Sequence, residues 1–237
     1  MANSYFRLRK FTIKQDKCAM KVCTDACLFG AIIANKKLPG VNWLDIGTGT
    51  GILPLMIAQK NDKVEIDTVE IDADAALQAA DNIASTAWGN RIHVINEDIL
   101  TLKKDVLYDC IFSNPPFFQN NLKSPDETIN KAKHNVSLDL HQLLKFVDVN
   151  LSDNGNFAVM LPYQGLPIFV AEAEKNNLYL AEQLLVKQTI KHKFFRGILF
   201  FKREQSEALY EEIIIKELDN RYTTGFAAAL KDYYLFL

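Results

Sequence analysis

Short apolar runs alternate with helical patterns along the middle of the chain. Five runs have the length and composition of buried strands: VNWLDIG (41–47), VEIDTVEI (64–71), RIHVINED (91–98), VLYDCIFS (106–113) and GNFAVMLP (155–162). Helical patterns lie between them over 50–60, 73–86, 138–151 and 166–177, the third with Ser137 as a candidate N-cap. This alternation predicts a mostly parallel sheet with helices on both faces.

The end of the chain has a different pattern. LYLAEQLLVKQTI (178–190) and FFRGILFFKRE (194–204) are separated only by a short basic turn, which predicts an antiparallel hairpin. The 237 residues are 49% hydrophobic, and no Pro/Gly/Ser-rich segment divides them. We therefore expect a single domain over 1–237, with an N-terminal cap segment (1–40), a core (41–204) and a C-terminal extension (205–237).

The charge of the chain is unevenly distributed. A net charge of -2 argues against a protein that coats nucleic acid indiscriminately. However, 1–21 contains six basic residues against one acid, and 187–203 contains six basic residues, no acid and four phenylalanines. Cations and aromatics together can bind a nucleic acid, although alternating aromatics are more often the inner face of a strand. We expect phosphate contacts from the cations and strand packing from the phenylalanines.

The cysteines and the apolar runs indicate the compartment. Cys18, Cys23, Cys27 and Cys110 show neither paired CxxC spacing nor the density of a secreted domain, which favours reduced thiols and predicts no metal site. The first residues lack a signal-peptide core, and the longest apolar runs are too short to span a bilayer. We expect a cytoplasmic protein without a membrane segment.

Polar or glycine-rich groups follow four consecutive predicted strands. Because ligands bind beyond the carboxyl ends of parallel strands, these groups form one candidate site. The set comprises DIGTGTG with Asp45, Gly47, Gly49 and Gly51, then Glu70 and Asp72, then Asp98, and finally Asn114-Pro115-Pro116-Phe117. The last stretch, taken alone, is equally compatible with a tight turn, since prolines cannot continue a strand ladder.

The spacing of the glycine loop narrows the class of ligand that the site could bind. Its spacing is GxGxG, with Ile52 where a dinucleotide-binding loop has its third glycine, and no lysine follows as in a Walker-type loop. Glu70 is placed to accept both hydroxyl hydrogens of a ribose, and Asp98 could accept from an adenine amino group. The residues therefore predict a site for an adenosine-containing cofactor.

The motifs LDIGTGTG, VEID, NEDI and SNPPF together resemble those of class I S-adenosylmethionine-dependent methyltransferases over about 40–160. The resemblance implies a Rossmann-like, seven-stranded, mostly parallel α/β sheet with a C-terminal antiparallel hairpin. It also implies that Asn114 and Pro115 accept hydrogen bonds from a planar amino group held against Phe117, with Pro116 fixing the turn. The cofactor would be S-adenosylmethionine, bound by Asp45, Gly47, Gly49, Gly51, Glu70, Asp72, Asp98 and Ile99.

Both ends of the chain extend the resemblance. The segments 11–31 and 220–237 are similar to those of bacterial tRNA (adenine-N6) methyltransferases that act on position 37 of a valine tRNA. This implies a tRNA partner. No obligatory protein partner is evident from the sequence, and we expect a monomer or weak dimer. Thr24 and Asp25 would belong to a lid over the cofactor, although either could simply cap a helix. The candidate RNA contacts are Lys131, Lys133 and His134 in the loop after the catalytic turn, and Lys191, Lys193 and Arg196 in the hairpin.

Two other functions stay open from the sequence. Release-factor glutamine N5-methyltransferases carry similar motifs, although they usually have a longer helical N-terminal domain. A non-catalytic RNA-binding module of the same fold is the other alternative, and the intact Asn114-Pro115-Pro116-Phe117 set argues against it.

Overall fold

The computed structural model describes residues 3–115 and 140–237. Its strands are β1 (Tyr5–Arg7), β2 (Thr12–Lys14), β3 (Asn42–Ile46), β4 (Glu65–Glu70), β5 (Ile92–Asn96), β6 (Tyr108–Ser113), β7 (Leu151–Pro162), β8 (Tyr179–Lys187), β9 (Phe194–Lys202) and β10 (Leu209–Ile214). Its helices are α1 (Thr24–Asn35), α2 (Ile52–Lys60), α3 (Ala73–Ala84), α4 (Leu140–Asn150), α5 (Leu166–Glu174) and α6 (Thr224–Leu230). No helix in these two ranges is long and apolar enough to cross a membrane.

The main sheet has the strand order β10-β8-β9-β7-β6-β3-β4-β5. Strands β3 to β7 pair in parallel, and β9 runs antiparallel to both β7 and β8. The predicted parallel sheet and C-terminal hairpin are therefore confirmed. The predicted number of seven strands was wrong, because β10 adds an eighth strand parallel to β8. Most of the β10 side chains are exposed, so this edge strand has no clear hydrophobic pattern.

Helices cover both faces of the sheet. Consecutive residues of β3 point to opposite sides, so that Trp43 packs in a core with α1, α2 and α6, whereas Leu44 packs in a core with α4 and α5. Phe200 and Phe201 divide between the same two cores and are almost completely buried. The strand-packing interpretation is therefore confirmed for these two phenylalanines.

The N-terminal segment packs against the end of the chain. Strands β1 and β2 form a hairpin that the sequence patterns did not predict, with Leu8 and Ile13 buried. The backbone N–H of Arg9 donates to the carbonyl of Tyr233 at 2.8 Å. Helix α1 follows, and its N-cap residue is Cys23 with no side-chain capping bond. The alternative in which Thr24 or Asp25 caps this helix is therefore wrong, because both lie inside it.

Candidate active site

The ends of β3 and its neighbours lie side by side. Ile46 is in register with Val69 of β4 and with Ser113 of β6, and Glu70 is in register with Asn96 of β5. The Ser113 hydroxyl donates to the carbonyl of Ile46 at 2.8 Å, which fixes β6 against β3 just before Asn114. The structure thus brings the glycine loop, Glu70 and Asn114 to one edge of the sheet.

The glycine loop has a backbone that other residues adopt only with strain. Gly47 and Gly49 have φ angles of 76° and 53°, in the left-handed region. A Cβ added to either residue would meet no atom within 4 Å, so the glycines serve the backbone conformation and leave open space beside it. The N–H groups of Gly47 and Thr48 both donate to the carbonyl of Val69, which ties the loop to β4.

Glu70 links the loop to the next helix. Its carboxylate accepts from the N–H of Gly49 at 2.9 Å and from the N–H of Asp72 at 3.1 Å. A carboxylate has about four acceptor positions, so about two remain for a ligand. Asp72 is itself the N-cap of α3, where its side chain accepts from the N–H of Ala75 at 2.8 Å. A direct cofactor contact from Asp72 would compete with this capping role.

Asp45 lies inside β3, in agreement with the predicted strand 41–47, and the part of the motif that follows the strand begins at Gly47. The side chain is completely buried, and neither carboxylate oxygen has a hydrogen-bond partner of ordinary geometry among the residues described. Desolvation, with a smaller contribution from the negative charge of Glu70, raises the pKa of Asp45 to about 7, and the nearby Thr48 hydroxyl opposes this shift. A positively charged ligand at this edge would stabilise the ionised carboxylate.

Asn114 follows β6 at the same edge. Its side-chain oxygen is buried and has no partner within 3–115 or 140–237. An unpaired buried acceptor is costly, so this oxygen is available to a ligand that donates an N–H. Pro115 is buried beside it. Pro116 and Phe117 lie outside the described residues, as do Lys131, Lys133, His134 and the predicted cap Ser137.

Asp98 and Ile99 follow β5. One carboxylate oxygen of Asp98 accepts from the N–H of Leu100 at 3.0 Å, and the side chain stays half-exposed. Ile99 is 6% exposed and packs in the α4/α5 core, which leaves its main chain rather than its side chain for a ligand. Asn96 was missed by the sequence analysis; its amide donates to the carbonyls of Glu70 and Ile71 at 2.8 and 3.2 Å.

Two further residues missed by the sequence analysis attach the N-terminal segment to this edge. Asn82 of α3 donates to the carbonyls of Lys14 and Thr50, both at 2.9 Å, and accepts from the N–H of Lys14. Gln78, one turn earlier, accepts from the N–H of Lys17 at 3.1 Å and donates to Asp16 at 2.8 Å. Both amides are almost fully buried. Their i, i+4 spacing puts them on one face of α3, and this was the sequence signal that they could act together.

Several of the predicted RNA-contacting cations are paired with acids. Arg196 donates to Asp25 at 2.8 Å, so its predicted phosphate contact would compete with this ion pair and stays a prediction. Asp25 is 8% exposed and joins α1 to β9. Lys187 pairs with Glu212, and Arg203 pairs with Asp148. Lys191 and Lys193 are exposed in the turn between β8 and β9. Thr24 is half-buried at the start of α1.

Two cations of the basic N-terminal segment (1–21) lie far from the candidate site. Arg9 and Lys10 line a cavity of about 300 Å³ with Lys60, the last residue of α2. The glycine loop precedes the first residue of that helix, so this cavity lies at the opposite end of α2 from the candidate site. Arg9 and Lys10 therefore lie away from Asn114, and any phosphate contact that they make would be at a distance from the candidate site.

The chain is similar over its whole length to curated bacterial proteins. The family model of the methyltransferase small domain matches residues 27–139. A tRNA1(Val) (adenine(37)-N6)-methyltransferase of Bacteroides fragilis is 37% identical over 99% of both chains. Proteins of the same name from Dyadobacter fermentans and Pectobacterium carotovorum are 36% and 35% identical, over 98% of this chain and 98% and 94% of theirs.

Solved structures agree on the fold. A predicted O-methyltransferase from Agrobacterium tumefaciens superposes with a TM-score of 0.68 at 15% identity, over 87% of this chain and 95% of that one. A methyltransferase subunit of a type I restriction-modification system from Streptococcus thermophilus gives 0.61 at 14% identity, over 91% and 52%. From its full-length similarity to the curated relatives, the chain belongs to the tRNA1(Val) (adenine(37)-N6)-methyltransferase family of class I methyltransferases.

Proposed function

We infer that the protein transfers a methyl group from S-adenosylmethionine to the exocyclic N6 of an adenosine in tRNA, at position 37 of a valine tRNA. The observation that carries this proposal is the side-chain oxygen of Asn114, which is buried next to the glycine loop and has no hydrogen-bond partner among the described residues. An acceptor held at the carboxyl edge of the sheet is what an amino-group substrate requires. The full-length similarity to the named relatives supplies the nucleotide and the RNA.

The residues at the edge fit the cofactor. Glu70 keeps about two acceptor positions for ribose hydroxyls after its two backbone bonds. The open space beside Gly47 and Gly49 admits a ligand close to the backbone. The buried carboxylate of Asp45 gives a positively charged ligand a counter-charge. When bound, S-adenosylmethionine supplies an electrophilic methyl group on a sulfonium.

Asn114 and Pro115 act on the target amine. The N6 nitrogen of adenine is a poor nucleophile because its lone pair is delocalised into the ring. Two acceptors, the Asn114 side-chain oxygen and the Pro115 carbonyl, would favour a pyramidal nitrogen whose lone pair is directed at the methyl group. Proline restricts the backbone, so these acceptors need little reorganisation during the reaction. Phe117 is proposed to stack on the adenine, and Lys131, Lys133 and His134 stay predicted RNA contacts.

The test is an in vitro reaction with nucleoside analysis. Purified protein is incubated with S-adenosylmethionine and a valine tRNA transcript, and the digested RNA is examined for N6-methyladenosine by mass spectrometry. Formation of N6-methyladenosine that disappears when guanosine replaces the adenosine at tRNA position 37 supports the proposal. Methylation of a release-factor glutamine instead would favour the alternative enzyme, and tight tRNA binding without methylation would favour a non-catalytic module.

Location and assembly remain predictions. The four cysteines all lie in the described ranges as free thiols, in keeping with the expected cytoplasmic location. A monomer or weak dimer without an obligatory protein partner can be checked by sedimentation equilibrium of the purified chain.

A further inference from the structure

Two aromatic side chains are paired at the sheet edge that carries Asn114. Tyr163 follows β7 directly and is 40% exposed, and Phe194 is the first residue of β9 and half-buried. Their ring centroids are 5.4 Å apart with the planes tilted by 37°. Phe194 thus differs from Phe200 and Phe201, which the cores bury. Within 3–115 and 140–237, the pair presents a partly exposed aromatic surface.

The strand register places this pair within reach of the target base. Ser113 of β6 is opposite Val159 of β7, so Asn114 is level with Met160, which in turn is opposite Ile198 of β9. Tyr163 lies three residues beyond Met160, and Phe194 lies four residues beyond Ile198, both past Asn114 at the carboxyl end of the parallel strands. With strands about 4.8 Å apart and a rise of about 3.3 Å per residue, the pair lies roughly 10 to 16 Å from Asn114. That distance corresponds to roughly three to five stacked nucleotides.

The surroundings hold the pair in place. The Lys187 ammonium, on the neighbouring strand β8, lies 4.1 Å from the Phe194 ring centroid. Lys187 also pairs with Glu212 of β10 at 3.1 Å, so this cation holds the ring in place. The β8–β9 turn is also ordered by hydrogen bonds: the His192 N–H donates to the Thr189 carbonyl at 3.0 Å, and the two side chains meet at 2.8 Å. This turn presents Lys191 and Lys193 to solvent beside the aromatic pair.

We propose that Tyr163 and Phe194 form a stacking platform for an unpaired base of the RNA substrate near the methylated adenosine, with Lys191 and Lys193 contacting the adjoining phosphates. The proposal rests on the proposed function. Proteins bind single-stranded RNA through aromatic faces next to cations, and the segment 187–203 contains no acid. Two copies of the protein meeting at this surface would bring like charges together, which favours RNA as the occupant.

The test pairs protein variants with altered RNA. Tyr163→Leu keeps an apolar side chain without an aromatic face, and Tyr163→Phe keeps the face without the hydroxyl. Their affinities are measured by fluorescence anisotropy with anticodon stem-loop RNAs carrying one abasic nucleotide at each loop position. We expect Tyr163→Leu to bind the intact RNA about 5- to 150-fold more weakly, the range for one base–aromatic stack. Tyr163→Phe should bind within about twofold of wild type.

Combining Tyr163→Leu with each abasic RNA distinguishes base stacking from a general structural effect of the substitution. At the stacked position, loss of the base should weaken wild type strongly and Tyr163→Leu hardly at all. The matched control is Tyr210→Leu on the edge strand β10, where Tyr210 is 69% exposed. Tyr210 is in register with Gln183 of β8, four residues before the Lys187 that is opposite Phe194, so it lies away from the site end of the sheet and the variant should bind RNA like wild type. S-adenosylmethionine affinity should be the same in all variants.

Three results would refute the proposed stacking platform. The first is wild-type RNA affinity in Tyr163→Leu, and the second is the absence of any abasic position whose effect depends on Tyr163. The third is a dimer that Tyr163→Leu dissociates without a change in RNA affinity, which would assign the surface to a second copy. Failure of the proposed function would look different, because N6-methyladenosine would be absent while the coupling between Tyr163 and one base persisted.

Discussion

The buried carboxyl of Asp45 should make the stability of the ligand-free protein depend on pH. Its pKa rises from 3.8 to about 7, chiefly through desolvation. Each pKa unit corresponds to 1.36 kcal/mol, so the free energy of unfolding should carry a term of about 4 kcal/mol from this group, as an upper limit. Because the folded protein holds the proton more tightly, this stabilisation is complete below pH 3.8, decreases as pH rises, and is lost above about pH 7.

Asp45→Asn isolates this term, because the amide has nearly the same shape and does not ionise. The variant and wild type should have similar stabilities at about pH 4, and the variant should be the more stable by up to about 4 kcal/mol at about pH 8. Urea unfolding of both proteins across this range measures the difference. Asp153→Asn, an exposed acid in β7, controls for the loss of one carboxylate.

Cofactor binding gives an independent readout of the same group. A cation bound near Asp45 favours the ionised carboxylate, so S-adenosylmethionine affinity should be about tenfold weaker at pH 6 than at pH 8 in wild type. Asp45→Asn should bind more weakly at high pH and show a flatter profile. If the stability difference between variant and wild type stays constant within about 0.5 kcal/mol over the range, the desolvation argument is refuted.

Three further perturbations test the proposed roles at the site. Glu70→Ala should weaken S-adenosylmethionine binding by about 1.5 to 3 kcal/mol in calorimetry, the range for hydrogen bonds to a charged group, and an unchanged affinity would remove it from the site. Asn114→Ala should lower the single-turnover rate about 100-fold or more at unchanged cofactor affinity, whereas a rate within about threefold of wild type contradicts the mechanism. Lys191→Ala with Lys193→Ala should flatten the logarithmic salt dependence of tRNA affinity by about 1.4 to 1.8, whereas Lys202→Ala, exposed at the other end of β9, should leave it unchanged.

Much of the fold could be predicted because each central strand is a separate apolar run that its flanking helices bury on both faces. The missed elements lack that pattern. Strands β1 and β2 have three residues each, and β10 is mostly exposed. Their pairing depends on neighbours far along the chain, such as β8 for β10 and the backbone of Tyr233 for the N-terminal segment. Such contacts leave little trace in local periodicity.

The state of individual side chains was harder to predict than the location of the site. Arg196 has the sequence context of an exposed cation, but α1 brings Asp25 to it across 171 positions. Asn82 and Gln78 have the sequence context of solvent-facing helix residues, but the N-terminal segment packs over them. In each case the deciding partner is non-local, so charge counts along the chain overestimate the cations available for RNA.

The buried polar atoms without partners indicate why this edge of the sheet binds a ligand. Six such side-chain atoms occur in the described ranges, and four of them belong to Asp45, Thr48 and Asn114. Each unpaired buried group costs about 1 to 3 kcal/mol, so a sequence selected only for stability would replace them with apolar residues. These four atoms lie where β3 and β6 end, next to the open space beside the glycine loop. Hydrogen-bonding groups without partners are therefore concentrated where a ligand can enter. A cationic cofactor and an amino-group substrate would satisfy these same atoms, so local destabilisation of the free protein becomes binding energy in the complex.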